Sequence, residues 1–144
     1  MHPKVMHEER GFKRVARWVM VVFMVASGIG HFAITDAYVA MVPASFPAPR
    51  LVVYVSGVAE LLGGIGLVVP WPRLRRAAAI GIILLLIAVF PANVNMAIHH
   101  ISPFGMQASP AALWGRLPFQ ALFIAWAWWL ASSPKNASQR STGA

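Results

Sequence analysis

The chain contains no cysteine. Disulfides, a thiolate metal site and thiol catalysis of its own are therefore excluded. Charge is scarce too: 11% of the residues are charged, against about 25% in an ordinary soluble domain. With 58% hydrophobic residues and a mean hydropathy of +0.65, the 144-residue chain lacks the polar surface needed to dissolve in water. The charge that is present is one-sided, with 12 basic residues against 4 acidic ones and a formal net charge of +8. Such an excess can signal nucleic acid. Here most of the basic residues lie just outside apolar runs, where orientation signals sit. The expected partner is a lipid bilayer, and no nucleic acid.

Long apolar runs fill the rest of the sequence. Four stretches, at about 15–34, 51–69, 77–98 and 113–131, approach the ~20 residues a helix needs to cross a bilayer at 1.5 Å per residue. The expected fold is therefore all-α, a polytopic membrane four-helix bundle. Residues 1–14 form a basic segment before it, and residues 132–144 form a small polar tail expected to be disordered. Lys4, Arg10, Lys13, Arg14 and Arg17 precede or open the first run. Arg73, Arg75 and Arg76 lie between the second and third, and Lys135 and Arg140 in the tail. The positive-inside rule puts both termini and the 70–76 link in the cytoplasm, with the protein multi-pass in a cell's inner (plasma) membrane. The first run is expected to stay uncleaved, because it is longer than a signal-peptide core and its removal would leave opposed charge signals.

Prolines mark the connections. Pro43, Pro47 and Pro49 are expected to keep the first outer loop non-helical, Pro70 and Pro72 to end the second helix, and Pro103 and Pro110, with Gly105, to shape the last outer loop. Trp18, Trp71, Trp128 and Trp129 fall at the expected inner interface and Trp114 at the outer one, the usual aromatic belt. Ala26 with Gly30, and Ala59 with Gly63, have the spacing of small residues that lets helices approach closely.

The polar exceptions inside the runs carry the functional signal. Glu60 is the deepest, roughly 13 Å below the start of its helix by rise per residue. A carboxylate at that depth costs on the order of 3 kcal/mol or more unless it is neutral, paired or facing a cavity. Topology brings His31, Asn93, Asn95, Arg116 and Gln120 into the same outer half of the bundle. Ser56, Glu60 and Gly64 share one helix face, as do Ser27 and His31, and Arg116 and Gln120. Asn93 and Asn95 are about 200° apart and must point to different neighbours. Pro91 frees the carbonyl of Ile87 and is expected to kink its helix, leaving a gap for an asparagine amide or a water.

Glu60 has three open states at this stage. It is ionised and paired with Arg116, or hydrogen-bonded to His31, Gln120 or an asparagine, or protonated. Three roles follow: a polar staple that fixes helix register, a pocket for a ligand or redox cofactor, or a proton or ion path. No polar chain continues to the inner surface to extend a path. His31, His99, His100, Glu60, Met96 and Met106 are the residues a copper or zinc site would draw on. Adjacent His99 and His100 diverge by about 100° on a helix and sit at the interface, so no metal site is expected.

Together these residues carry a resemblance. Ser56-Gly-Val-Ala-Glu-Leu-Leu-Gly-Gly-Ile-Gly-Leu-Val-Val-Pro70, followed by Arg73, resembles the signature second helix of the DoxX-like membrane proteins. Gly30-His31-Phe32, Phe90-Pro-Ala-Asn93-Val-Asn-Met96 and Arg116-Leu-Pro-Phe-Gln120 resemble companion motifs of one subgroup, and the match spans nearly all of 15–131. The resemblance implies a bacterial four-helix protein of the inner membrane. The wider family includes subunits linked to thiosulfate oxidation with quinone as acceptor, and membrane partners of redox or detoxifying enzymes. This chain differs from the redox-enzyme members in having no soluble domain, cysteine or haem ligation. The expectation is an accessory or binding subunit, not an independent enzyme. It would hold a lipophilic ligand, quinone among the candidates, through Glu60, His31, Asn93, Arg116, Gln120 and Ser56 for a redox or detoxification partner. The alternatives are a small oxidoreductase subunit using a Glu60/His31 proton relay, and a purely structural assembly factor.

Overall fold

A computed structural model of the protein describes residues 3–102 and 108–132. The described residues are helical, with no strand among them. The elements are α1 (Pro3–Ala33), α2 (Thr35–Val39), α3 (Pro49–Gly66), α4 (Pro72–His99) and α5 (Pro110–Ala131). Two segments, Gly11–Ala33 and Pro72–His99, are long and apolar enough to cross a membrane. The other two long helices, α3 and α5, carry the polar groups Arg50, Glu60, Arg116 and Gln120.

Helix starts depart from expectation in one consistent way. Pro49, Pro72 and Pro110 each stand in the first turn of a helix, not in the connection before it. A helix's first N–H groups have no intrahelical acceptor, so a proline there loses nothing and its fixed φ is already helical. As a result α4 begins before Arg73, Arg75 and Arg76, which lie on helix and not in a link. Before α3, Ala48 takes a left-handed conformation (φ 52°), and before α5 the Ser109 hydroxyl accepts the Ala112 N–H at 3.2 Å. The basic N-terminal segment is continuous with α1 from Pro3. Its lysines, arginines and glutamates are good helix formers and no proline interrupts them.

The stretch between α1 and α3 also differs from expectation. It is not wholly non-helical, because α2 precedes its first proline. Ile34 (φ −132°, ψ 47°) breaks the helical run, and Thr35 then ties the new turn back through its hydroxyl, which donates to the His31 carbonyl at 2.8 Å. An exposed ion pair between Arg50 and Asp36 at 2.6 Å joins this loop to the start of α3 and adds little in water. Residues 103–107, with Pro103, Gly105 and Met106, and the tail at 133–144 lie outside the described residues.

Packing runs α1 on α3, α3 on α4 and α4 on α5. The seam between α1 and α5 is closed by side chains: Phe12 against Trp129 at 5.9 Å, Phe23 against Phe123 at 4.6 Å, and Lys13 Nζ donating to the Ser132 carbonyl at 2.5 Å. The start of α1 thus meets the end of α5. Arg17 lies close enough to Arg75 to feel its charge, which puts the start of α4 at the same end.

Two apolar clusters form the core. One contains Met20, Met24, Leu67, Ala79, Ile82 and Ala127; the other contains Met41, Met96, Ala97 and Leu113. Close approach of α1 and α3 depends on Gly28 and Gly57, not on the Ala26/Gly30 pair. Ala26 is exposed, and Gly30 makes room for the Tyr38 hydroxyl instead. A Cβ at Gly57 would lie 2.7 Å from the Cβ of His31 and 3.2 Å from the Gly28 carbonyl. Gly63 does serve packing, but against Ile82 of α4.

Burial is inverted relative to a water-soluble fold. His31, Thr35, Ser56, Glu60 and Gln120 are buried, while Val22, Leu62, Leu84 and Leu122 on the four long helices are each more than 60% exposed. Monomeric soluble proteins rarely expose large contiguous apolar surface.

Candidate functional site

A cavity of about 870 Å³ lies among the helices, lined by residues that also flank both apolar clusters. Its volume falls in the ~300–1,000 Å³ range of small-molecule sites. Glu60, His31, Asn93, Arg116, Gln120 and Ser56 all contribute to its wall. Apolar side chains form most of the remainder, among them Phe23, Leu86, Phe119 and Phe123. Phe119 and Phe23 are 64% and 50% exposed, so the cavity reaches the molecular surface between apolar walls.

Glu60 and His31 face each other across the α1–α3 contact. The His31 Nδ1 lies 3.6 Å from Glu60 Oε2 and 2.9 Å from the Ser27 carbonyl oxygen. A carbonyl only accepts, so the proton of this bond sits on Nδ1. The spacing of Ser27 and His31 is what sets this up, since residue i−4 of a helix offers its carbonyl to the ring. Glu60 is 9% exposed, and its Oε2 has no hydrogen-bond partner among the described residues. The Ser27 side chain lies in hydrogen-bonding range of the same carboxyl.

Tyr38 of α2 stacks on the His31 ring, with centroids 3.9 Å apart and planes 32° from parallel. Its phenol is pushed above the usual value chiefly by burial; a hydrogen bond with Ser27 opposes that shift, the Glu60 carboxyl adds to it, and Arg116 opposes it less. It therefore stays protonated and able to donate. Tyr38 is not among the residues the sequence singles out, because it lies beyond the apolar run that ends at Ile34.

A second polar group crosses from α4 to α5. Asn93 Nδ2 donates to Gln120 Oε1 at 3.0 Å, and Gln120 Nε2 donates to the Leu86 carbonyl. The helix continues through Pro91, and the side-chain amide reaching that region comes from Gln120, not from an asparagine of α4. Asn95 points elsewhere, as its angle requires, and donates to the Met41 carbonyl at 3.1 Å. Ser56 spends its hydroxyl proton on its own helix, at the Val52 and Val53 carbonyls. Ser56, Asn93 and Gln120 thus commit donors to the fold itself.

Arg116 is partly buried in the cavity wall and makes no ion pair among the described residues. The pairing of Glu60 with Arg116 is not formed; the basic side chain within 4 Å of the carboxyl is His31. Nor is Glu60 bonded to Gln120 or an asparagine, since those amides hold each other and backbone carbonyls. The metal-capable residues are scattered. His99 and His100 are exposed at the end of α4, with His99 Nδ1 on the Asn95 carbonyl oxygen, and Met96 is buried in the second cluster. Among the described residues no three histidine, aspartate or glutamate side chains converge.

The chain belongs to the family described as a domain of unknown function, DUF8561, which matches residues 20–131. That span holds every residue of the cavity wall. No curated protein and no solved structure matches the chain.

Proposed function

We propose that this chain is a multi-pass protein of the inner membrane, an all-α bundle of four spans with both termini cytoplasmic. Its cavity holds a lipophilic ligand for a redox or detoxification partner. The inverted burial supports the membrane reading, because α3 and α5 expose apolar side chains as α1 and α4 do while their polar groups turn inward. The position of Arg14, Arg17 and Arg75 toward one end agrees with a cytoplasmic face there. A cysteine-free chain makes the topology easy to test. Ser45→Cys in the first outer loop is expected to react with a membrane-impermeant thiol reagent in intact spheroplasts, and Arg73→Cys only after lysis. The reverse pattern overturns the orientation, and labelling of both in intact spheroplasts overturns the four-span reading.

The observation that carries the ligand reading is the unpartnered Oε2 of Glu60 in the wall of a roomy cavity. Buried polar atoms are nearly always hydrogen-bonded in a finished fold. A staple would have spent both carboxylate oxygens on neighbouring helices. A ligand hydroxyl or N–H arriving at Oε2 completes the set. Quinone fits the walls as a flat ring among Phe23, Phe119 and Phe123, and its reduced form brings a hydroxyl; the DoxX-like resemblance points the same way. The 3.6 Å approach of His31 to Glu60 favours one second reading, in which the pair relays a proton from that hydroxyl.

Native mass spectrometry of the protein, taken gently from its own membranes, is expected to report a bound lipophile. Added quinone is expected to raise the melting temperature of the delipidated protein. Absence of both overturns the ligand reading. A Glu60→Gln variant with full activity in the partner's redox assay overturns the relay.

A further inference from the structure

Arg116 stands in the cavity wall with no ion pair among the described residues, and we propose that the cavity's ligand is a lipophilic acid whose anionic group sits on Arg116. This rests on the ligand-binding reading of the same cavity and adds the chemistry of the head. Among the described residues Glu60 is the one acidic residue in the wall, and the His31 ring faces it, with Nδ1 3.6 Å from Oε2. Arg116, on α5, is left without an acidic partner among the described residues. Gln120 Oε1, one turn along α5, accepts from Asn93 and receives no hydrogen bond from Arg116.

An unpaired guanidinium against apolar walls is costly, and its planar fork of donors matches a carboxylate or a phosphate monoester bidentately. A neutral lipophile would leave that cost in place. An acidic one removes it and lays its hydrocarbon along Phe119 and Leu86. At the other pole, the buried Oε2 of Glu60 accepts from a hydroxyl or N–H of the same ligand, so the best ligands carry both groups. Access from the lipid phase follows from the exposed Phe23 and Phe119 at the cavity's edge.

The test uses the delipidated full-length protein in nanodiscs and three probes with one chain length: dodecanoate, methyl dodecanoate and dodecyl phosphate. Binding is followed by native mass spectrometry at a pH where the acids are ionised. At least one of the two acids is expected to bind about tenfold or more tightly than the ester, the worth of a charge-assisted contact. Which acid binds more tightly tells a carboxylate from a phosphate source. Arg116→Met is expected to bring both acids down to the level of the ester. Arg116→Lys, which keeps the charge and loses the fork, is expected to retain part of the preference. Melting temperatures of both variants check that the bundle is intact. Equal binding of ester and acids, or an acid preference that survives in Arg116→Met, overturns the proposal. If quinone binds and neither acid does, this inference falls alone; if no lipophile binds at all, the ligand-binding reading falls with it.

Discussion

Glu60→Leu is expected to abolish ligand retention while leaving the delipidated protein as stable as before or more so. Leucine has nearly the volume of glutamate and fits the same site between α1 and α3. The carboxylate it replaces brings a buried oxygen with no hydrogen-bond partner, so its removal relieves an unmet demand. His31 keeps its bond to the Ser27 carbonyl in the variant. A glutamate acting as register staple gives the opposite result, a loss of about 3 kcal/mol or more. Unfolding must be compared after delipidation, because a bound ligand stabilises the wild type by mass action. Denaturant melts in detergent, paired with native mass spectra before delipidation, read both outcomes from one preparation.

Gly57→Ala is expected to be strongly destabilising for so small a substitution. The added methyl would sit 2.7 Å from His31 Cβ, 2.9 Å from Phe32 Cε2 and 3.2 Å from the Gly28 carbonyl oxygen. The Phe32 ring can swing aside, but His31 Cβ and the Gly28 carbonyl cannot, so α1 and α3 must separate. Overpacking of this kind costs about 1–3 kcal/mol. The separation also draws His31 away from Glu60, so ligand retention falls together with stability. Gly81→Ala is the control. Nothing lies within 4 Å of a Cβ there, and alanine is the better helix former, so it is expected to be neutral or stabilising by about 0.5–1 kcal/mol. Thermal unfolding of the three proteins side by side checks the order. Equal stability of Gly57→Ala and Gly81→Ala would show that the α1–α3 contact is looser than described.

The helices are legible because long apolar runs admit few other forms, and the burial of Glu60, His31, Ser56 and Gln120 agrees with their being the polar exceptions within those runs. The spacing of Asn93 and Asn95 foretold their divergence, although not that Gln120 and the Met41 carbonyl would receive them. What was not legible depends on distance between helices. Whether Glu60 meets His31 or Arg116 is decided by how closely α1 approaches α3, and Gly28 and Gly57 set that approach. Ala26 and Gly30 had the same small-residue spacing, but the face they offer was not determined by spacing alone. The prolines misled in one direction: a residue that ends a helix from inside also begins one from its first turn, and only the following sequence decides between them.

The stretch between α1 and α3 is more than a connection. Tyr38, Met41, Val42, Pro43 and Phe46 all belong to the cavity wall, and Asn95 of α4 holds this stretch by the Met41 carbonyl. A protein built this way keeps its charged and amide groups on the long helices and part of its shape on one short replaceable segment. Grafting residues 35–48 from one member of the family onto another should therefore exchange ligand preference without disturbing the helices that anchor it.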